Sequence, residues 1–234
     1  MNIPIDIYLD TSDLKQIIRY ADNPLVKGFT TNPTLMSRAG VTNYEAFARS
    51  VLHVVRDKPV SFEVVHEERN EVIRQAMKIQ SWAPNVNVKV PMMNSRGEDN
   101  CELIAQLMHA KVHVNITAMV SLHHVSYVLA RIPLGPAILS VFAGRLADTG
   151  QQPYPSMKEA AHKLSYYAGK QLLWASVREP VNISEAASAR CNIITVPPEM
   201  LEKAIKWYCR DPDVIAADTA RQFIEDAASA GLTL

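Results

Sequence analysis

Short apolar runs rich in β-favouring residues alternate with longer stretches of helical period along this chain. The first run is IDIYLD at 5–10, and a polar helical stretch follows from Thr11. Next come KGFTTNP at 27–33 with a helix over 43–55, and PVSFEVV at 59–65 with a helix over 68–82. VNVKVP at 86–91 precedes a helix over 98–110, KVHVNITA at 111–118 one over 121–132, and AILSVFAG at 137–144 one over 157–169. QLLWASV at 171–177 leads to a short helix near 183–189, and CNIITVPP at 191–198 to one over 199–209. Eight strand–helix units predict the α/β class and a single (β/α)8 barrel of the TIM type over 1–234, with 213–230 as an extra C-terminal helix. A doubly wound sheet is the competing architecture, but it usually has fewer strands and often a glycine-rich first turn. The early glycines here are Gly28 and Gly40, which do not make a dinucleotide fingerprint. The turn-rich stretch ADTGQQPYP at 147–155 reads as a lid or rim loop.

Successive side chains of a strand point to opposite faces. One parity is apolar: Ile7 and Leu9, Phe62 and Val64, Val86, Val88 and Val90, Val114 and Ile116, Leu139 and Val141, Ala175 and Val177. The other carries Asp10, Thr30, Asn32, Ser61, Glu63, Asn87, Lys89, Asn115, Thr117, Ser140, Ser176 and Arg178. Strands of a parallel barrel are usually apolar on both faces. A polar parity gathered at the strands' C-terminal ends, where barrel active sites sit, predicts a polar pocket at the barrel mouth containing Asp10, Glu63 and Lys89.

A lysine inside a barrel loses hydration, which favours the neutral amine, whereas carboxylates beside it favour the ammonium. A neutral amine can attack a ketone and form a Schiff base, whose iminium draws electrons from the neighbouring carbon–carbon bond and makes retro-aldol cleavage feasible. Asp10 is the candidate proton shuttle, and Glu63 with Thr117 can hold a water for it. The bland alternative is a buried Lys–Asp ion pair without chemistry. Arg145 and Arg178 follow the sixth and seventh runs, where barrels often hold a phosphate, and with Ser176 they suit a planar oxyanion. Here the bland alternative is two rim arginines paired with Asp148 and Glu179.

Composition narrows the classes. The 234 residues are 48% hydrophobic, enough for one substantial core, and 24 Lys+Arg balance 24 Asp+Glu. No basic tail or stripe points to nucleic acid, and no apolar run approaches the roughly 20 residues of a membrane span. MNIPIDIYLD reads as a strand rather than a signal peptide. Cys101, Cys191 and Cys209 are far apart and form no CxxC pair, so reduced thiols and a cytoplasmic location are expected. His109, His113, His123 and His124 lack metal-ligand spacing to a carboxylate and are expected to pack or face solvent. HEERNE at 66–71 reads as a solvated helix start.

The motifs LDTSD (9–13), GFTTNPTL (28–35), FEVV (62–65), VKVP (88–91), VNITA (114–118), SVFAGRLAD (140–148), ASVRE (175–179) and CNIITVPP (191–198) run in order over almost the whole chain. Together they resemble the transaldolase family, in its short transaldolase and fructose-6-phosphate-aldolase-like branch. The resemblance implies a class I enzyme with no metal and no other cofactor, with Lys89 as the Schiff-base lysine. It gives Asp10 the general acid/base role and Glu63 and Thr117 the catalytic water. It implies that Asn32, Asn115 and Ser140 bind hydroxyls of a dihydroxyacetone moiety and that Arg145, Ser176 and Arg178 bind the phosphate. Sugar phosphates are the implied partners, moved as a three-carbon ketol unit from a ketose phosphate to an aldose phosphate, in central pentose metabolism or a specialised sugar route. Aldolase-like members carry Gln at the position of Glu63 and Tyr at that of Phe142, so both residues here match the transferase choice. Three features depart from the pattern: Val141 stands where a proline is expected, Val177 where phenylalanine is frequent, and 147–155 matches nothing in the family. These leave an acceptor-independent aldolase, a sulfonated or otherwise unusual ketose, and a silent sugar-phosphate binding barrel as open alternatives. A ring-shaped homo-oligomer, pentamer or decamer, in which a C-terminal helix reaches a neighbour, is also implied by the resemblance.

Overall fold

Each apolar run yields a strand. The computed structural model describes residues 4–233. The strands β1 (Asp6–Asp10), β2 (Val26–Thr30), β3 (Val60–Glu63), β4 (Val86–Pro91), β5 (Val114–Met119), β6 (Ala137–Phe142), β7 (Lys170–Ala175) and β8 (Ile193–Val196) pair in parallel in chain order. Pairing of β1 with β8 closes an eight-stranded barrel. The helices are α1 (Leu14–Ala21), α2 (Pro33–Arg38), α3 (Tyr44–Val54), α4 (Arg69–Gln80), α5 (Cys101–His109) and α6 (Leu122–Leu129). They continue as α7 (Ala143–Ala147), α8 (Pro153–Leu164), α9 (Val181–Ser188), α10 (Pro198–Trp207) and the extra C-terminal α11 (Pro212–Ser229). Polar side chains start several of them by accepting otherwise unpaired N–H groups: Asp13 from Lys15, Asn43 from Ala46, Glu68 from Asn70 and Glu71, and Ser121 from His124.

Two short helices differ from the sequence expectation. The run 27–33 leaves the sheet after Thr30. Asn32 accepts from the Leu35 N–H and Pro33 occupies the first turn, so the same residues that look like a strand end form the start of α2. Likewise 137–144 gives way to α7 at Ala143, inside an apolar stretch whose one break signal is Gly144. The expected lid at 147–155 shrinks to a connection over 148–152, because Pro153 opens α8.

The outward strand faces pack on the helices: Leu9, Phe62, Val88, Ile116, Leu139 and Trp174 share one cluster with Ile17, Val51, Ile104, Val125 and Leu201. Inside the barrel, Tyr8, Ile138, Leu173, Ala175 and Ile193 make a smaller plug, with Phe142 against it. Gly28 makes room for that plug, since a Cβ there would lie 2.7 Å from the Tyr8 ring. The predicted parity holds on β1 and β6. On β7 it is reversed: Ala175 faces inward and Trp174 outward. Ser176 then adopts φ 64°, which breaks the alternation and leaves both Ser176 and Arg178 at the mouth despite the misread strand. No helix among the described residues is long and apolar enough to cross a membrane.

Candidate active site

At the C-terminal end of the barrel a cavity of about 940 Å³ opens. It gathers every predicted site residue except Asn115: Asp10, Asn32, Glu63, Lys89, Thr117, Ser140, Phe142, Arg145, Ser176 and Arg178 all line it. The sheet register does much of this placing, because Asp10 lies beside Thr30, Glu63 beside Lys89, and Lys89 beside Asn115 on adjacent strands.

Lys89 is 6% exposed. Its Nζ donates to the Thr31 carbonyl at 2.9 Å and lies 2.8 Å from Glu63 Oε2. The ion pair of Lys89 is therefore with Glu63, and the Glu63 carboxylate touches the amine directly. Asp10 Oδ1 accepts from the Thr30 hydroxyl at 2.7 Å, and Thr30 shares a hydrogen bond with Thr195. Burial pushes the Asp10 carboxyl above the usual carboxylate range. Lys89 and the Thr30 hydroxyl oppose that shift, while Glu63 and Glu199 add to it. Thr117 is fully buried, and its hydroxyl has no hydrogen-bond partner among the described residues although it lines the cavity.

Asn115 is also fully buried, but its amide is engaged: Nδ2 donates to Ser61 Oγ at 3.1 Å and Oδ1 accepts from Ser140 Oγ at 2.7 Å. It supports Ser140 from behind the cavity wall. Asn32 uses its carbonyl oxygen to cap α2 and lines the cavity, and its amide N–H groups make no hydrogen bond among the described residues. The Arg145 guanidinium sits 4.8 Å from the centre of the Phe142 ring and makes no ion pair among the described residues. Arg178 is paired with Asp148, as the bland alternative allowed, but neither arginine pairs with Glu179 among the described residues. Gly144 lies against the backbone of Ser176, where a Cβ would be 1.6 Å from the carbonyl oxygen.

Sequence reasoning missed the Thr31 carbonyl that holds Lys89, Thr195, and a further wall made by Gln16, Arg38 and Glu199. Thr195 was legible, because Ile194 and Val196 face the helices and leave it as the polar residue of the inward parity. The Arg38 wall was not, since it depends on α2. All three cysteines are free, and burial pushes the Cys101 and Cys191 thiols up to about 12.

The closed parallel barrel thus carries a buried lysine–carboxylate pair at its mouth and two arginines on its rim. A family model described as transaldolase/fructose-6-phosphate aldolase matches residues 7–234, and the chain belongs to that family. It is 32% identical over 209 residues to a probable transaldolase of Dehalococcoides mccartyi, covering 89% of this chain and 94% of that protein. It is 34% identical over 197 residues to a probable transaldolase of Lactiplantibacillus plantarum, covering 84% and 87%. Among solved structures, an HpcH/HpaI aldolase/citrate lyase family protein from Burkholderia cenocepacia shares the fold at TM-score 0.59 and 12% identity, covering 95% of each chain. Family and relatives together mark a transaldolase-type enzyme.

Proposed function

We propose that this chain is a class I transaldolase that carries a dihydroxyacetone unit on Lys89 from a ketose phosphate to an aldose phosphate. The observation that carries this reading is the Lys89 amine, held 2.8 Å from a carboxylate in a cavity that also holds Asp10. Glu63 takes a proton from the Lys89 ammonium, and the free amine adds to the C2 carbonyl of the ketose. Loss of water from the carbinolamine, with its proton supplied from Asp10 through a water on Thr117, gives the iminium. Asp10, now ionised, removes the proton of the C4 hydroxyl. The C3–C4 bond breaks, its electron pair moves into the enamine, and an aldehyde leaves. Addition of the enamine to an acceptor aldehyde and hydrolysis of the new iminium complete the transfer. Burial raises the Asp10 carboxyl above its ordinary range, which suits a group that must give a proton as well as take one. Asn32 and Ser140 hold the hydroxyls of the retained unit, and Arg145, Ser176 and Arg178 hold the phosphate. Phe142 has no hydroxyl with which to protonate the enamine, which favours waiting for the acceptor.

The deciding experiment is borohydride trapping with fructose 6-phosphate, followed by mapping of the modified peptide. A three-carbon adduct on Lys89 is expected. An adduct of the whole sugar would restrict the activity to imine formation, and cleavage at equal rate without acceptor would make the protein an aldolase. No adduct with any of a panel of ketoses, sulfonated ones included, leaves the silent binding barrel.

We also propose a homo-oligomer. Every residue of α11 is exposed or half-buried, and Phe223 and Ile224 are about two-thirds and three-quarters exposed, at 67% and 73%. Light scattering is expected to give a mass well above 26.0 kDa. The free thiols agree with a cytoplasmic location.

A further inference from the structure

A guanidinium offers two bidentate edges, one side-on through Nε and Nη2 and one end-on through its two Nη atoms. In Arg178 the side-on edge is occupied: Nε donates to Asp148 Oδ1 at 3.1 Å and Nη2 to Asp148 Oδ2 at 2.5 Å. The backbone of Arg178 is fixed as well. Its N–H donates to Asn182 Oδ1 at 3.0 Å, and the preceding Ser176 carbonyl lies so close to Gly144 that no side chain fits between them. Asp148 removes the freedom that remains, which is that of the side chain. Hydrogen bonding from Arg178, then the fields of Arg178 and Arg145, hold the Asp148 carboxyl below its usual range, so it stays ionised in the working pH range. The two side chains are 47% and 53% exposed, where an ion pair contributes little to the stability of a fold. Their fork geometry serves direction better than stability.

We propose that Asp148 is a positioning residue for the substrate's anionic tail: it occupies the side-on edge of Arg178 so that the end-on edge is presented to an oxyanion at the cavity rim, beside Arg145. The inference rests on the reading of this cavity as a sugar-phosphate site. It has a sign that simple charge counting does not share. Removing Asp148 makes the rim more positive by one unit, which by itself strengthens anion binding. Losing the fork lets the long Arg178 side chain spread over many rotamers, which weakens it.

The test is a double-mutant cycle in the full-length protein, with Asp148→Asn, Arg178→Gln and the pair. For each protein KM and kcat are measured with fructose 6-phosphate and an aldose phosphate acceptor, kcat/KM with unphosphorylated fructose, and Kd for fructose 6-phosphate by calorimetry. Asp148→Asn is expected to raise KM and Kd for the phosphorylated ketose about tenfold, to leave kcat and the fructose value unchanged, and to add nothing in the Arg178→Gln background. A KM that stays or falls, an effect that persists without Arg178, or an equal loss on fructose overturns the proposal. A wild type that binds the ketose phosphate without turning it over overturns the transaldolase reading instead, and the Kd cycle still decides the role of Asp148. A wild type that binds neither it nor a sulfonated ketose overturns the tail site itself.

Discussion

Replacing Lys89 with methionine keeps the length of the side chain and deletes its charge. At 2.8 Å the Lys89–Glu63 attraction is about 6 kcal/mol gross at an effective dielectric of about 20, most of it offset by the desolvation of both groups. Removing one partner of a fully buried pair costs about 3–5 kcal/mol, because the other charge is left alone. Glu63 is 16% exposed, which softens the penalty, so about 2–3 kcal/mol is the expected cost here. The Thr31 carbonyl also loses its donor. For a chain of this size, that corresponds to a fall in Tm of roughly 4–12 °C at about 2–4 °C per kcal/mol. The double substitution Lys89→Met with Glu63→Gln removes the stranded carboxylate and should cost only about 1 kcal/mol. Urea unfolding of wild type, both single variants and the double variant, followed by tryptophan fluorescence, gives the coupling directly. If the two single costs simply add to the double within about 0.5 kcal/mol, the pair is not coupled and the electrostatic account of the site fails.

Asp10 gives a pH signature. Its folded value is raised, mainly by burial, so the folded state holds the proton more tightly than the unfolded chain does. The sign follows: the contribution is fully present below the ordinary carboxylate range and is lost as pH rises through the folded value. Asp10→Asn should therefore gain stability relative to wild type between acid and neutral pH while losing turnover, and a difference in urea midpoint that is flat with pH would refute this. Thr117→Val removes a hydroxyl that has no protein partner, so stability should change by less than about 1 kcal/mol while kcat falls on the order of a hundredfold, as steady-state kinetics can check. Gly144→Ala drives a methyl into the Ser176 carbonyl and should cost about 1–3 kcal/mol in unfolding experiments and raise KM for phosphorylated donors.

Much of the fold was legible because strands and helices carry different periods, and a parallel barrel has a simple chain order. The site was legible for a related reason: polar residues on an inward parity stand out against Val and Ile. That signal placed Asp10, Glu63, Lys89, Thr117 and Ser140 at one mouth. It failed where the backbone leaves the regular pleat. Ser176, at φ 64°, reset the alternation on β7, and Asn32 proved to be a helix cap as well as a cavity residue. The partner of Lys89 was ambiguous because both Asp10 and Glu63 share its parity, and only the register of β3 on β4 puts Glu63 next to it. The engagement of Asn115 by Ser61 and Ser140 depends on three strands at once, which no local pattern encodes.

The close approach of Gly144 to the Ser176 carbonyl has a consequence for engineering. The turns after β6 and β7 behave as one machined part, with one backbone seated on the other. A library that randomises 144 alone would sample almost only side chains that collide with the unchanged Ser176 carbonyl. Reshaping this rim is therefore a two-segment problem, in which 141–148 and 176–182 are varied together and glycine is kept at 144 until the second segment has moved away.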